Sequence, residues 1–351
     1  MTELSKIPIQ NIYYLLCYAW NKLEERDIVD VSGIETTSLW NLFAKVLIGG
    51  LNHLLKRGLD RGYVPYSEDS RCLRGKLCFA PMIKRNLFTT AQVHCEYDEL
   101  SYNVLHNQIL KAMLRLLIDS HTVDDKDIQD QLTGLYRRLH EIDEVRLSAS
   151  LFNRVQLHRN NAFYDFPLKI CELIYNNLLV SEDTGKSKFR DFVQDRKKMA
   201  KVFEDFVRNF YKIERPDCGV SGKEISWNLE PSDKYVPKMK TDISIELGNS
   251  RVVIDTKYYR EALVTNQYGQ EKIRSTHLYQ IIAYLKNLEA KDGINRYCSG
   301  ILLYPTVDKD IHLNYRMDGH KIMIRTINLN QDWKLIRSDL LNILETAMLN
   351  D

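Results

Sequence analysis

Apolar positions first recur at helical spacing in "IPIQNIYYLLCYAW", Ile7–Trp20, after an extended entry at Pro8, and again from Trp40 to Leu55. Both segments are expected to be core helices. Between Gly62 and Glu99 the period shortens, and "LRGKLCF" and "TTAQVHCEY" read as β-leaning runs around the basic, proline-containing "APMIKRN". A small sheet with projecting loops is expected there. Helical periodicity returns over Tyr102–Ile118 and Lys126–His140, and "FPLKICELIYNNLLV" is another apolar helix. The polar stretch "SEDTGKSKFR", Ser181–Arg190, then breaks the pattern and marks a boundary. It separates an N-terminal α+β domain, residues 1–185, from a second domain, residues 186–351.

The second domain opens with "KKMAKVFEDFVRNFYK", in which Met199, Val202, Phe203, Phe206 and Phe210 form one apolar helical stripe. A strand over "GKEISWNLE" and a hairpin over Thr241–Tyr259 follow. Next comes a helix over "HLYQIIAYLKNL", with Leu278, Ile281, Ile282 and Leu285 facing inward. "GILLYP" is a buried strand, "KIMIRTINL" an additional one, and a helix from about Trp333 to Leu349 closes the chain. The element order predicts mixed α/β layering.

The hairpin "TDISIELGNSRVVIDTKYY" carries charges where apolar residues would suit its strands. A two-residue Gly248-Asn249 loop, with positive φ at its first centre, pairs Leu247 with Ser250. Counting outward sets Asp242 opposite Asp255, with Cβ atoms roughly 5 Å apart, and the strand period of two brings Lys257 to the same face. Two carboxylates that close repel unless one is protonated or a cation sits between them. Mg²⁺ would relieve the repulsion, with Asp242, Asp255 and the Thr256 carbonyl as its oxygen donors. Lys257 would then orient a nucleophile or offset charge during phosphodiester hydrolysis. Gln280 and Tyr284, one helical turn apart on the next helix, point the same way, and Glu204 on the preceding helix offers a third carboxylate. The bland alternatives are solvated charges on an edge face, a polar helix edge, and a solvent-facing Glu204.

With 351 residues, two domains are expected, each able to bury its own core. A net charge of +2 provides no global field for nucleic acid, so any such contact rests on local patches. The seven cysteines are scattered without a Cys-x-x-Cys pair or a histidine cluster, which argues against structural zinc. Their odd number and the absence of a charged-then-apolar leader or a membrane-length apolar run predict free thiols, a cytoplasmic location and no membrane.

A leading helix, an Asp-bearing strand, a strand with Asp-Thr-Lys and a helix with Gln-x-x-x-Tyr resemble the PD-(D/E)XK nuclease superfamily. Here the first acidic residue follows Thr241, and the nearest proline is Pro237. "IPIQNIYYLLCYAW", "LRGKLCF", "PKMKTDISI", "VIDTKYY", "LYQIIAYL" and "LLYPTVD" together are similar to the McrC family over almost the full chain. The resemblance implies an α/β (mixed) protein, with an N-terminal α+β partner-binding domain followed by a restriction-endonuclease-like domain. It implies Asp242 and Asp255 as metal ligands and Lys257 as the catalytic lysine, with Gln280 and Tyr284 supporting. It also implies a Mg²⁺-dependent endonuclease of a modification-dependent (type IV) restriction system. Its partner would be an McrB-type AAA+ GTPase hexamer that recognises double-stranded DNA carrying modified cytosine. This chain would stimulate GTP hydrolysis without binding nucleotide, in keeping with its lack of a P-loop. The N-terminal region would dock with the partner ring through a projecting stalk, and the loop at Lys84 and Arg85 is a candidate contact. Self-association through the nuclease domain is a further expectation. Two alternatives differ in class: a non-enzymatic GTPase-activating adaptor, and a stand-alone repair nuclease.

Overall fold

The computed structural model describes residues 7–21, 39–178, 196–229, 235–258, 263–265, 270–290, 293–307 and 310–349. The chain divides into two compact units. Helix α1 (Ile9–Ala19) belongs with everything from residue 196 onward, while residues 39–178 form the other unit. The expected boundary segment, Ser181–Arg190, lies outside the described residues. The expected domain of residues 1–185 therefore loses its first helix to the C-terminal unit. The reason is visible in the packing of α1. Its Tyr13, Leu15, Leu16, Cys17 and Tyr18 are all buried, and Tyr14 stacks on Trp333 at 5.0 Å between ring centroids. Asn11 Nδ2 donates to the carbonyls of Leu329 and Gln331, both at 2.8 Å.

The other unit holds the helices α2 (Leu39–Arg57), α4 (Leu105–Ser120), α5 (Lys126–Arg138) and α7 (Asp165–Leu178), with the short α3 (Phe79–Lys84) and α6 (Ala149–Asn153). Its sheet has the order β1-β3-β2, formed by Gly62–Ser70, Val93–Ser101 and Lys76–Leu77. "APMIKRN", expected as a loop, falls mostly in α3. Pro81 is tolerated because it sits in the first turn, where amides have no intrahelical acceptor. Arg85 just after it is tied back to β1. Its Nη1 reaches both Asp69 oxygens at 3.1 Å, and Asp69 in turn holds His94 Nδ1 at 2.6 Å.

The C-terminal unit runs α8 (Arg196–Glu214), β4 (Gly219–Ser221), β5 (Glu224–Ile225), β6 (Met239–Lys240), β7 (Ile243–Leu247) and β8 (Ser250–Thr256). It continues with β9 (Leu263–Thr265), β10 (Glu271–Ile273), α9 (Ser275–Glu289), β11 (Ser299–Thr306), β12 (His312–Met317), β13 (His320–Asn328) and α10 (Trp333–Met348). Six strands form one mixed sheet in the order β12-β13-β11-β8-β7-β4, with β11 parallel to both β8 and β13. The mixed α/β expectation is met. The strand expected over Gly222–Glu230 contracts to β5, and β4, β6, β9, β10 and β12 are additional. Val253, Leu302 and Ile324 form one apolar cluster with Ile281 and Leu285 of α9.

Gly300 sets how closely α9 approaches the sheet. A Cβ there would lie 2.8 Å from Ile281 Cγ1 and 3.0 Å from Leu285 Cδ1. Gly300→Val is therefore expected to lower unfolding stability by about 1–3 kcal/mol through overpacking, measured by chemical denaturation of the full chain.

Candidate active site

The β7–β8 hairpin turns where the sequence places it, with Gly248 at φ 55° and Leu247 paired with Ser250. Pairing continues outward to Ile243 and Ile254. Asp242 directly precedes the first residue of β7, and Asp255 is the penultimate residue of β8. In a continued antiparallel ladder, the Thr256 amide would meet a backbone carbonyl. Instead the Asp242 carboxylate takes that place, with Oδ2 accepting from Thr256 N at 2.8 Å and Thr256 Oγ1 at 2.9 Å. The Asp242 carbonyl turns toward α8, where Arg208 donates to it from Nε at 3.1 Å and Nη2 at 3.0 Å.

Asp255 has no exposed surface. Lys257 Nζ forms an ion pair with it, 2.7 Å from Oδ2, yet neither carboxylate oxygen has a well-directed hydrogen bond among the described residues. The same ammonium donates to Gln280 Oε1 at 2.8 Å; Gln280 Nε2 donates to the Tyr284 hydroxyl at 2.7 Å. Tyr284 completes the chain by donating to the Lys240 carbonyl at 2.9 Å. Five expected residues, Asp242, Asp255, Lys257, Gln280 and Tyr284, are thus brought together by one strand end and one helix face. Thr256 joins them through its amide and hydroxyl.

Glu204 lies in electrostatic range of both aspartates, but its carboxylate is engaged by Lys201 Nζ at 3.1 Å and by Arg208 Nη2. Among the described residues, no group of three or more His, Cys, Asp or Glu is arranged to hold a metal ion. The acidic set is therefore the pair Asp242 and Asp255. Arg208 is the participant that sequence reasoning missed. The spacing that pairs it with Glu204 along α8 was legible, but its bonds to the Asp242 carbonyl were not.

Burial is the largest influence on both aspartates, and it raises each above the ordinary carboxylate range. Asp255 is pushed up to about 7, with the charges of Asp242 and Glu204 adding to burial and Lys257 opposing it. Burial also pushes Tyr284 up to about 12, so its hydroxyl remains a proton donor at neutral pH. A half-answered buried carboxylate beside a second carboxylate fits a hard divalent cation, which takes oxygen donors and would hold both groups ionised. Asp242, Asp255 and the Thr256 carbonyl could serve as its oxygen donors.

Because Asp255 binds its proton more tightly in the folded state, stability falls as pH rises from about 4 to about 7 and is level beyond. Asp255→Asn should match the parent below pH ~4 and be more stable at pH ~8, by on the order of a few kcal/mol. Denaturant unfolding at the two pH values without divalent metal checks this.

The family model described as McrBC 5-methylcytosine restriction system component matches residues 6–305. The type IV methyl-directed restriction enzyme EcoKMcrBC of Escherichia coli (strain K12) is 31% identical over 347 residues, covering 98% of this chain and 99% of that protein. A refined half-complex from a tetradecameric assembly of Thermococcus gammatolerans McrB AAA+ hexamers with bound McrC contains a similar chain. The likeness has a TM-score of 0.60 at 19% identity and covers 96% of this chain and 76% of that one. At that identity it shows a shared fold.

Proposed function

Because the chain belongs to the family of McrBC 5-methylcytosine restriction system components, as an McrC-like subunit, we propose that it cuts DNA by Mg²⁺-dependent phosphodiester hydrolysis. The observation that carries this reading is the convergence of two buried carboxylates with one lysine, itself held by Gln280 and Tyr284. Asp242 and Asp255, with the Thr256 carbonyl, would hold the ion. When bound, Mg²⁺ would polarise the scissile phosphate and acidify a water.

The residues do the positioning. Lys257 is fixed between Asp255 and Gln280, so its ammonium stands ready to orient the attacking water and offset charge developing on the phosphate oxygens. Gln280 is fixed in turn by Tyr284, whose hydroxyl is anchored on the Lys240 carbonyl. The network needs little reorganisation when substrate arrives. For Glu204 to become a further ligand, it would have to exchange Lys201 and Arg208 for the ion.

We further propose an McrB-type AAA+ hexamer as the partner, since the similar archaeal protein is bound to McrB AAA+ hexamers. In that assembly the partner would recognise DNA carrying modified cytosine and hydrolyse GTP, and this chain would stimulate the hydrolysis and make the cuts. The unit of residues 39–178 is the candidate docking part, and the C-terminal unit carries the chemistry.

Asp255→Ala should lower cleavage of modified DNA by at least ~10³-fold, while partner binding and GTPase stimulation stay near the parent level. Assays of the chain with its cognate GTPase, GTP and Mg²⁺, on modified and unmodified DNA, check this. Undiminished cleavage by the variant would overturn the nuclease assignment. Cleavage by the parent without any partner would identify a stand-alone nuclease.

A further inference from the structure

We infer that Arg208 is a positioning residue for the cleavage centre, holding the Asp242 peptide in the orientation that delivers the Asp242 carboxylate to the site. The inference rests on the nuclease reading for its catalytic consequence, and on the geometry alone for its structural one.

Up to Ile243 the hairpin is an ordinary ladder, and beyond it the backbone leaves β8. A backbone carbonyl that leaves a ladder needs another donor if it is to stay out of water's reach. Arg208 supplies two, with Nε and Nη2 converging on the single Asp242 oxygen at 3.1 and 3.0 Å. That fork fixes the direction of the peptide plane. With the carbonyl held toward α8, the side chain of the same residue lies over β8 and accepts from both Thr256 N and Thr256 Oγ1. The carboxylate and carbonyl of Asp242 thus point to different partners, and each contact supports the other.

Arg208 is itself immobilised. Nη1 donates to Asp205 Oδ1 at 3.0 Å and Nη2 pairs with Glu204, both on its own helix. The planar guanidinium divides its donors among two carboxylates and one carbonyl, which a lysine ammonium on a flexible stem cannot reproduce. The same pairing offsets Glu204, whose charge otherwise bears on Asp242 and Asp255. Lys201 contacts Glu204 and Asp205 at 3.1 and 3.0 Å, and no contact joins it to the Asp242 carbonyl. It therefore separates the two effects of Arg208, offsetting helix carboxylates and holding the peptide.

The test compares the full chain with Arg208→Met, Arg208→Lys and Lys201→Met. Backbone hydrogen exchange at Thr256 reports the Asp242 contact without any need for activity. Exchange there should be about tenfold faster in Arg208→Met, corresponding to one weakened hydrogen bond, partly restored in Arg208→Lys and unchanged in Lys201→Met. With the cognate GTPase present, Arg208→Met should cleave about 100-fold more slowly, as expected for a displaced ligand. It should need more Mg²⁺ for half-maximal rate and stimulate GTP hydrolysis normally. Unchanged Thr256 exchange in both Arg208 variants, or equal acceleration in Lys201→Met, would overturn the inference. Should Asp255→Ala cleave like the parent, the nuclease reading fails, and the exchange result still decides whether Arg208 holds Asp242.

Discussion

A carboxylate with no exposed surface, Asp255, is paired with Lys257, and the candidate site is built outward from that pair. Removing a carboxylate from water is costly unless it is paired and hydrogen-bonded. Lys257 supplies the pairing from two residues along the chain, just past β8, and its remaining donors must be answered in turn. Gln280 of α9 accepts from Lys257, and Tyr284 carries the chain from Gln280 Nε2 to the Lys240 carbonyl. These contacts require α9 to lie close to the sheet, which Gly300 permits by having no side chain. Tyr284, at the far end of the polar chain, is buried in one apolar cluster with Val253, Ile281, Leu285 and Leu302.

The second carboxylate is placed by a different device. Asp242 directly precedes β7, and its side chain replaces the missing backbone acceptor for Thr256. A ladder that ran one pair further would have spent the same positions on routine pairing. Its end therefore creates a ligand position, and α8 stabilises that end through Arg208. Helix α8 is fixed in its turn by aromatic packing of Phe206 and Phe210 against Tyr18 of α1 and of Phe206 against Trp333. The first helix of the chain thus supports a site some 220 or more residues later in sequence, a separation of the order seen between Tyr18 and Asp242.

Much of this was legible beforehand where one local rule operates. The Gly248-Asn249 turn specified the register that the strands adopt, and the stripe on α8 marks its buried face, with Val202 lying at its half-buried margin. Gln280 and Tyr284 were correctly aimed because one helical turn separates them. The missed strands are short or polar: β6 has two residues and β4, β9 and β10 have three each, too few for alternation to register, and β12 reads "HLNYRM". Helix α3 was hidden by Pro81, which reads as a breaker unless its place in the first turn is known.

The sequence by itself determined the turn, the strand register, the spacing of Asp255 and Lys257, and the family to which the chain belongs. These follow from periods of two and 3.6 residues and from motifs, all local properties of the chain. Tertiary structure alone decided that α1 joins the C-terminal unit, that Glu204 is engaged by Lys201 and Arg208, and that Arg208 grips the Asp242 carbonyl. The Arg208 contact spans 34 positions and the Asn11 contact to Leu329 spans 318. Hydrogen bonds over such separations depend on where packing carries each element, and no local period encodes that.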